Sequence, residues 1–409
     1  MTAPALTTLR RLPAALPMLI AAFMMGLATS FAAPFMPLFA VEAAHMSPLK
    51  LGLYLTVTAV CSITLSTFIG RWSDRLPSRR PAVLLSMGSA ALGFVMLTTT
   101  TAYLPLLLIG GLLLGTGASS FPQLFAYARV QFGSAGAEAA QNGLTTLRSV
   151  FSLAWVAGPL LGSVLVGALG FRGLFLCAAA AYVGAALPVV LSRGRSRSAL
   201  AAASAASNLT ETPAPIGPRQ LQLISLSFVL YGTALAMGAV ALPLFITQEL
   251  GGNTGQVGLL VGLCALLEIP VMLSFVLRPP RFRTATLMVV AFGLLALYSL
   301  LTGLGGLVGG AWLGLMLVAQ IIRAVVIAIA SCLGMAYFQE LMPGRVGAAT
   351  TLFSNTSSAG NLVAGLLSGA WAQAFGYGSV FGLCGVLAAL ACSLMVVSRR
   401  MGGRRGLGV

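Results

Sequence analysis

Two side chains that can carry charge, Arg148 and Glu268, stand inside long apolar stretches of this 409-residue chain. A charge at membrane depth costs at least about 2.5–3.5 kcal/mol and is normally buried against a partner or a wet cavity. The two residues are predicted at about the same depth, which allows a contact between them. The charge of a buried carboxyl group depends on how close a compensating cation lies. The pair is therefore a candidate for proton coupling, and the alternative is a static buried ion pair.

The stretch around Arg148 holds further residues that do not suit a helix facing lipid, namely Trp155, Gly158, Pro159 and Gly162. A proline inside a helix removes a hydrogen bond, and a neighbouring helix or water must satisfy the freed backbone group. We therefore predict that this helix lines a path through the membrane.

Polar side chains in other apolar stretches could bind a hydroxylated solute, because amides and phenols hydrogen-bond to hydroxyl groups. For any single amide, a hydrogen bond between helices is an equally good explanation. Arg323 is a third charge at membrane depth without an evident acidic partner, and either a wet cavity or backbone carbonyls would satisfy it. Trp155 offers an apolar face for stacking. The substrate-binding candidates are Gln123, Tyr127, Asn142, Trp155, Gln320, Arg323, Asn355 and Asn361.

The composition identifies the class of protein that must position these residues. The chain is 58% hydrophobic and 7% charged, whereas about a quarter of the residues in soluble proteins are charged. The apolar stretches are too long and too uniform for membrane strands, which alternate in polarity over about ten residues. We predict twelve transmembrane helices, at 14–40, 50–70, 81–101, 103–128, 138–169, 171–192, 220–248, 254–277, 284–304, 306–337, 344–374 and 377–398.

The two halves of the chain repeat with an offset of 206 residues. Pro37, Leu38 and Phe39 recur as Pro243, Leu244 and Phe245, and Gly52, Gly170 and Phe175 recur as Gly258, Gly376 and Phe381. This register predicts a duplication with two pseudo-symmetric six-helix bundles in a monomer, a build common among secondary transporters. The predicted domains are an N-terminal bundle at 1–192, a cytoplasmic linker at 193–218 and a C-terminal bundle at 219–409.

The arginines and the one lysine indicate orientation. With the amino terminus inside, 19 of the 23 basic residues fall on the cytoplasmic side, whereas Lys50 and Arg172 fall outside. This asymmetry is the positive-inside rule and predicts that both termini are cytoplasmic. Basic residues on the cytoplasmic side can contact anionic lipid headgroups, which explains the net charge of +16. Nucleic acid is therefore not expected as a partner.

The loop after the second predicted helix, residues 70–80 (GRWSDRLPSRR), contains the chain's one aspartate. It resembles the loop pattern of the major facilitator superfamily, with one residue inserted and the second glycine missing. The resemblance implies a gating role for the loop, and plain anchoring by positive charge is the alternative. The matching residues are Gly70, Asp74, Arg75, Arg79 and Arg80.

A narrower resemblance rests on residues 122–129 (PQLFAYAR), 152–159 (SLAWVAGP), 267–270 (LEIP), 338–345 (FQELMPGR) and 347–353 (GAATTLF). Together these runs resemble the bacterial sugar efflux transporter family of the major facilitator superfamily. Gly158, Pro159 and Gly162 are also similar to the pattern that marks exporters in this superfamily. The resemblance implies efflux of sugars or glycosides by proton antiport across the bacterial cytoplasmic (inner) membrane.

Other classes fit the sequence less well. An ATP-driven pump would need a phosphate-binding loop with a lysine, and the one lysine is Lys50. One histidine and no Gly-x-Ser-x-Gly motif argue against an enzyme. The six cysteines show no metal-ligand spacing, so no metal or cofactor is predicted. A multidrug exporter of the same superfamily is the main alternative, and a sensor that has lost transport would also retain this fold.

Overall fold

The computed structural model describes residues 15–133, 136–192, 217–277, 282–343 and 345–403, and every regular element among them is a helix. Five long helices precede the predicted linker: α1 (Ala15–Ala32), α2 (Pro48–Arg75), α3 (Arg80–Leu97), α4 (Ser120–Phe132) and α5 (Ala137–Leu191). Six follow it: α6 (Pro218–Leu244), α7 (Thr254–Leu277), α8 (Thr284–Gly303), α9 (Trp312–Leu341), α10 (Val346–Phe375) and α11 (Tyr377–Gly403).

Shorter helical pieces extend these elements. Tyr103–Leu108, the π-helical turn Ile109–Leu114 and Gly115–Gly117 lead into α4, and two 3₁₀ turns, Leu304–Leu307 and Gly309–Ala311, join α8 to α9.

Ten helices of the described residues are long and apolar enough to cross a membrane. One of them includes most of α5, which has length for two crossings and kinks at Gly170, where φ is 65° and ψ is −174°. Outside these ten, α10 has 30 residues, and its serine, threonine and asparagine side chains lower its hydropathy. The described part of the chain is therefore an all-α membrane protein with twelve transmembrane helices, which confirms the predicted fold class.

The residues form two compact units. One consists of Met1–His45 and Val57–Asn208, and the other of Met46–Thr56 and Leu209–Val409. Helix α2 thus contributes its first turns to the second unit and the rest to the first. All but the last two residues of the predicted 193–218 linker lie outside the described residues, as do 278–281 of the second-half basic loop.

Glycines bring the start of α2 against α10 within the second unit. A Cβ atom on Gly52 would lie 2.7 Å from the carbonyl oxygen of Gly365 and 2.9 Å from the Cα of Gly369. Small residues at such positions let membrane helices approach closely, so larger residues there would force the two backbones apart.

The two units share the same turn after their first transmembrane helix. Phe39–Ala43 and Phe245–Glu249 are both five-residue π-helical turns. Each is followed by a residue with positive φ, which is His45 in the first unit and Gly251 in the second. The next helix of the second unit begins with a reciprocal cap, in which the Asn253 and Gln256 side chains each accept a hydrogen bond from the other's backbone N–H. These positions keep the offset of 206 residues.

The junction of the last two crossings also repeats. Gly170 and Gly376 have φ values of 65° and 82° with nearly extended ψ, a conformation essentially restricted to glycine. In the first unit, the ring centroids of Phe39 and Phe175 are 4.8 Å apart. Their counterparts in the second unit, Phe245 and Phe381, are 5.6 Å apart. The same aromatic contact therefore packs this junction in both units.

Candidate functional site

A charged cluster lies in the second unit, centred on Arg323 of α9. The Arg323 side chain is buried, with 9% of its surface exposed, and its guanidinium lies 5.8 Å from the centre of the Tyr298 ring. A cation over an aromatic face at this distance is attracted by the ring quadrupole, more strongly when both groups are removed from water. Tyr298 of α8 therefore holds Arg323 in place, a contact that sequence reasoning did not foresee.

Glu268 of α7 is half-buried and lies within electrostatic range of Arg323. Cys264, one turn earlier on α7, and Tyr231 of α6 lie in range of the same two charges. No side-chain ion pair closer than 4 Å joins Glu268 and Arg323, both of which are described. Glu268 is thus the acidic partner of Arg323, which the sequence did not reveal. The neutral but ionisable side chains of Tyr231, Cys264 and Tyr298 surround the pair.

Gln320 stands one turn before Arg323 on α9 and is completely buried. Residues three apart on a helix share a face, so the amide and the guanidinium project to the same side. The Tyr298 hydroxyl lies near the Gln320 amide and the Thr302 hydroxyl. However, neither the Nε2 nor the Oε1 atom of Gln320 forms a hydrogen bond of normal geometry. A buried amide without a partner costs free energy, which a ligand hydroxyl group could recover.

The candidates of the first unit differ in exposure. The kink at Gly170 divides α5 into a first arm, which precedes it, and a second arm, which begins at Phe171. Arg148 and Asn142 are exposed on the first arm, and Trp155 is half-buried. Gln123 of α4 is buried, and its Oε1 has no hydrogen-bond partner. The Tyr127 hydroxyl instead forms a 2.8 Å hydrogen bond with the Ser192 hydroxyl at the end of α5, a contact that ties two helix ends together.

The remaining amide candidates, Asn355 and Asn361, are exposed on α10 in the second unit. Glu268 belongs to that unit and Arg148 to the first. The proposed contact between Arg148 and Glu268 therefore stays a prediction, while Arg323 is the charged partner that Glu268 has within its own unit.

The Gly158-Pro159 pair packs α5 tightly against α1. A Cβ atom on Gly158 would lie 1.8 Å from the Ser30 hydroxyl oxygen, and one on Gly162 would lie 2.8 Å from the Phe31 carbonyl oxygen. Ser30 also donates a 3.1 Å hydrogen bond to the Ala154 carbonyl. Bulkier side chains at either glycine would therefore not fit, and a hydroxyl from α1 supports the helix just before its proline.

The loop between α2 and α3 is held by arginine contacts. Arg79 forms an ion pair with Asp74 and donates a 3.2 Å hydrogen bond to the Ser73 hydroxyl. Arg80 donates to the Val190 carbonyl near the end of α5. Gly70 is half-buried within α2, and Arg75 is exposed at its end. The loop thus connects α2, α3 and α5 within the first unit, as a latch would, and its gating role stays a prediction.

Comparison with known proteins gives concordant matches. A profile of the Major Facilitator Superfamily matches residues 18–308. A putative sugar efflux transporter of Deinococcus radiodurans is 44% identical over 397 residues, which cover 95% of this chain and 99% of that protein. Sugar efflux transporter A of Escherichia coli is 32% identical over 376 residues, covering 92% and 94% of the two chains.

Solved structures share the fold at low sequence identity. The nucleoside transporter NupG superposes with a TM-score of 0.77 at 12% identity, covering 94% of this chain and 98% of that one. A bacterial homologue of the iron transporter ferroportin, in an inward-facing state, gives a TM-score of 0.72 at 17% identity, again covering 94% and 98%. These structures support the helical architecture alone.

Proposed function

The chain belongs to the sugar efflux transporter family of the major facilitator superfamily, and from that membership we propose that it exports sugars or glycosides by proton antiport. The names of the relatives supply the substrate class. We further propose that it acts as a monomer in the bacterial cytoplasmic membrane, with both termini inside and its basic residues against anionic headgroups. Its cycle would alternate access to the substrate between the two sides.

The observation that carries proton coupling is the placement of Glu268 beside Arg323. An acid and a base in range of each other, without direct contact, leave the carboxyl group able to change its charge. When Glu268 is ionised, its carboxylate can accept charge-assisted hydrogen bonds from substrate hydroxyl groups, and Arg323 stabilises the negative charge. When Glu268 takes up a proton, it loses the charge that makes it a strong acceptor. Proton and sugar would then compete for the same carboxyl group, as antiport requires.

The neighbouring groups suit a sugar. Gln320 offers a buried amide with no hydrogen bond of normal geometry on the same helix face as Arg323, and an amide both donates and accepts hydrogen bonds. The other candidates remain proposals, and Arg148 remains a second candidate for the counter-charge of Glu268. The buried amides Gln123 and Gln320 are stronger proposals than Tyr127, whose hydroxyl is already bonded to Ser192.

The test is transport in proteoliposomes with a panel of sugars, with and without a pH gradient. Glu268→Gln should abolish accumulation driven by the gradient and still permit downhill exchange of sugar. Glu340→Gln is the matched control, because Glu340 is exposed near the end of α9 and accepts a 3.0 Å hydrogen bond from Thr284. The control should accumulate sugar as the natural protein does.

Folding must be checked before transport is interpreted, because removing the Glu268 charge leaves the buried Arg323 without its counter-charge. Melting in detergent provides this check. A folded Glu268→Gln protein that still concentrates sugar against its gradient would exclude Glu268 as the coupling residue. Competition by lipophilic cations, with no competition by any sugar, would instead favour the multidrug exporter.

A further inference from the structure

A cavity of about 360 Å³ opens in the first unit where three connections meet. It lies between the end of the π-helical turn at Ala43, the threonine run 98–101 and the kink at Gly170. Arg172 lines it, and Phe39, Phe171 and Phe175 form an apolar side. The Phe39 ring contacts the other two, at centroid distances of 5.8 and 4.8 Å. Nothing proposed above for sugar or proton transport uses this cavity.

The second unit shows what the same place in the fold can hold. There, the Glu249 carboxylate ends the π-helical turn and accepts hydrogen bonds from the backbone N–H groups of Tyr377 and Gly378, the second at 3.0 Å. These are the first residues of α11, directly after the kink at Gly376. A helix amino terminus carries unpaired N–H groups and partial positive charge, and here a carboxylate satisfies it.

The first unit has the same backbone without that carboxylate. The position equivalent to Glu249 is Ala43, which lines the cavity, and the equivalents of Tyr377 and Gly378 are Phe171 and Arg172. The arm of α5 that begins at Phe171 runs for 21 residues to Leu191. The cavity therefore occupies the place where the second unit seats an anionic group, and Arg172 adds a charge that Gly378 lacks.

The threonines indicate which donors remain for a ligand. Thr98 and Thr99 donate their hydroxyl protons to the Val95 and Met96 carbonyls, at 2.7 and 2.8 Å. Thr100 accepts a 3.1 Å hydrogen bond from the backbone N–H of Ala102, so its own proton remains to be donated. The Thr100 hydroxyl, the Arg172 guanidinium and the helix terminus are thus hydrogen-bond donors along the cavity, whose apolar side is formed by the phenylalanines. Glu42 is the nearest acid in sequence and does not line the cavity.

We propose that this cavity binds a phosphate group, held by Arg172, the start of the second arm of α5 and the Thr100 hydroxyl group. Phosphate needs several donors, and helix amino termini with arginine supply them. The group would be a free phosphate ion or the headgroup of a phospholipid, whose glycerol carbons would lie against the phenylalanines. This site goes beyond the proposed function and does not depend on it.

The test uses the full-length protein in a non-ionic detergent and measures its melting temperature. One arm titrates inorganic phosphate against chloride at matched ionic strength. The other adds short-chain phosphatidylglycerol, with the phosphate-free diacylglycerol of the same chains as its control. We expect a rise in melting temperature in at least one arm, and the arm that responds identifies the source of the phosphate. No response in either arm would overturn the proposal.

Three variants test where the phosphate binds. Ala43→Glu would supply the carboxylate that the second unit has, so it should raise the melting temperature without phosphate and abolish the response. Ala43→Gln is the matched neutral control and should respond as the natural protein does. Arg172→Gln, at an exposed position, should raise the half-saturating concentration at least tenfold. Equal responses of the Glu and Gln variants at Ala43, or an unchanged Arg172→Gln protein, would contradict this location.

Glu42→Gln provides one further control. If Glu42 itself satisfied the helix terminus, its removal would create a phosphate response that the natural protein lacks. We expect the response to be present in both proteins.

Discussion

Replacing Gly158 by alanine should destabilise the first unit. The new Cβ atom would lie 1.8 Å from the Ser30 hydroxyl oxygen and 2.4 Å from the Ser30 Cβ, whereas ordinary contact begins near 3.4 Å. Rotating the serine can move its oxygen but not its Cβ, so the two helices must separate by about 1 Å. Overpacking of this kind costs about 1–3 kcal/mol.

The assay is thermal or denaturant unfolding of the purified protein in detergent. Gly167→Ala is the matched control on the same arm of α5, because a Cβ atom there meets nothing within 4 Å. This control should leave stability unchanged or raise it by up to about 1 kcal/mol, since alanine is the better helix former. The two variants add the same methyl group to the same helix, so a difference between them reports packing against α1.

The double variant Ser30→Gly, Gly158→Ala tests the cause. Removing the serine side chain removes both close contacts, so the double variant should melt above Gly158→Ala alone. The rescue should be partial, because the hydrogen bond to the Ala154 carbonyl is lost and glycine costs about 0.5–1 kcal/mol inside a helix. Gly158→Ala melting at the natural temperature, or a double variant no more stable than the single one, would refute the reasoning.

Two further predictions concern segments that we predict to be cytoplasmic. Asp74→Asn should slow turnover while leaving substrate affinity nearly unchanged, because Asp74 is 53% exposed in the last turn of α2 and pairs with Arg79 of the following loop. The kinetics of transport would measure this, and lost affinity with normal turnover would contradict a gate. Cysteines placed in the 193–218 linker should resist a membrane-impermeant reagent in intact cells, and efficient labelling from outside would reverse the predicted orientation.

The repeated register let the sequence anticipate the architecture in some detail. Gly170 and Gly376 share a backbone conformation, and Phe39 meets Phe175 as Phe245 meets Phe381. Matching residues at a constant offset report duplicated structure because each copy must satisfy the same local packing. The π-helical turns were beyond prediction, since an apolar run looks the same whether one turn holds four or five residues.

The site was harder to predict, because uniformly apolar helices give no clear buried face. Depth along a helix can be counted from sequence, and this depth is what pairs Glu268 with Arg148. The rotation of each helix about its axis cannot be read from the sequence, and this rotation brings Arg323 and Tyr298 together beside Glu268. For the same reason, Tyr127 looked available for substrate, although its hydroxyl is bonded to Ser192.

The paired π-helical turns also record the order of events in the ancestry of the chain. A π-helical turn holds one more residue than an α-helical turn, so it corresponds to a one-residue insertion in an older, regular helix. Phe39–Ala43 and Phe245–Glu249 carry this extra residue at the same point. A single insertion in a six-helix ancestor, inherited by both copies, explains the two turns with one event. Insertions after the duplication would need two separate events. The lengthened turn would then be older than the twelve-helix protein itself.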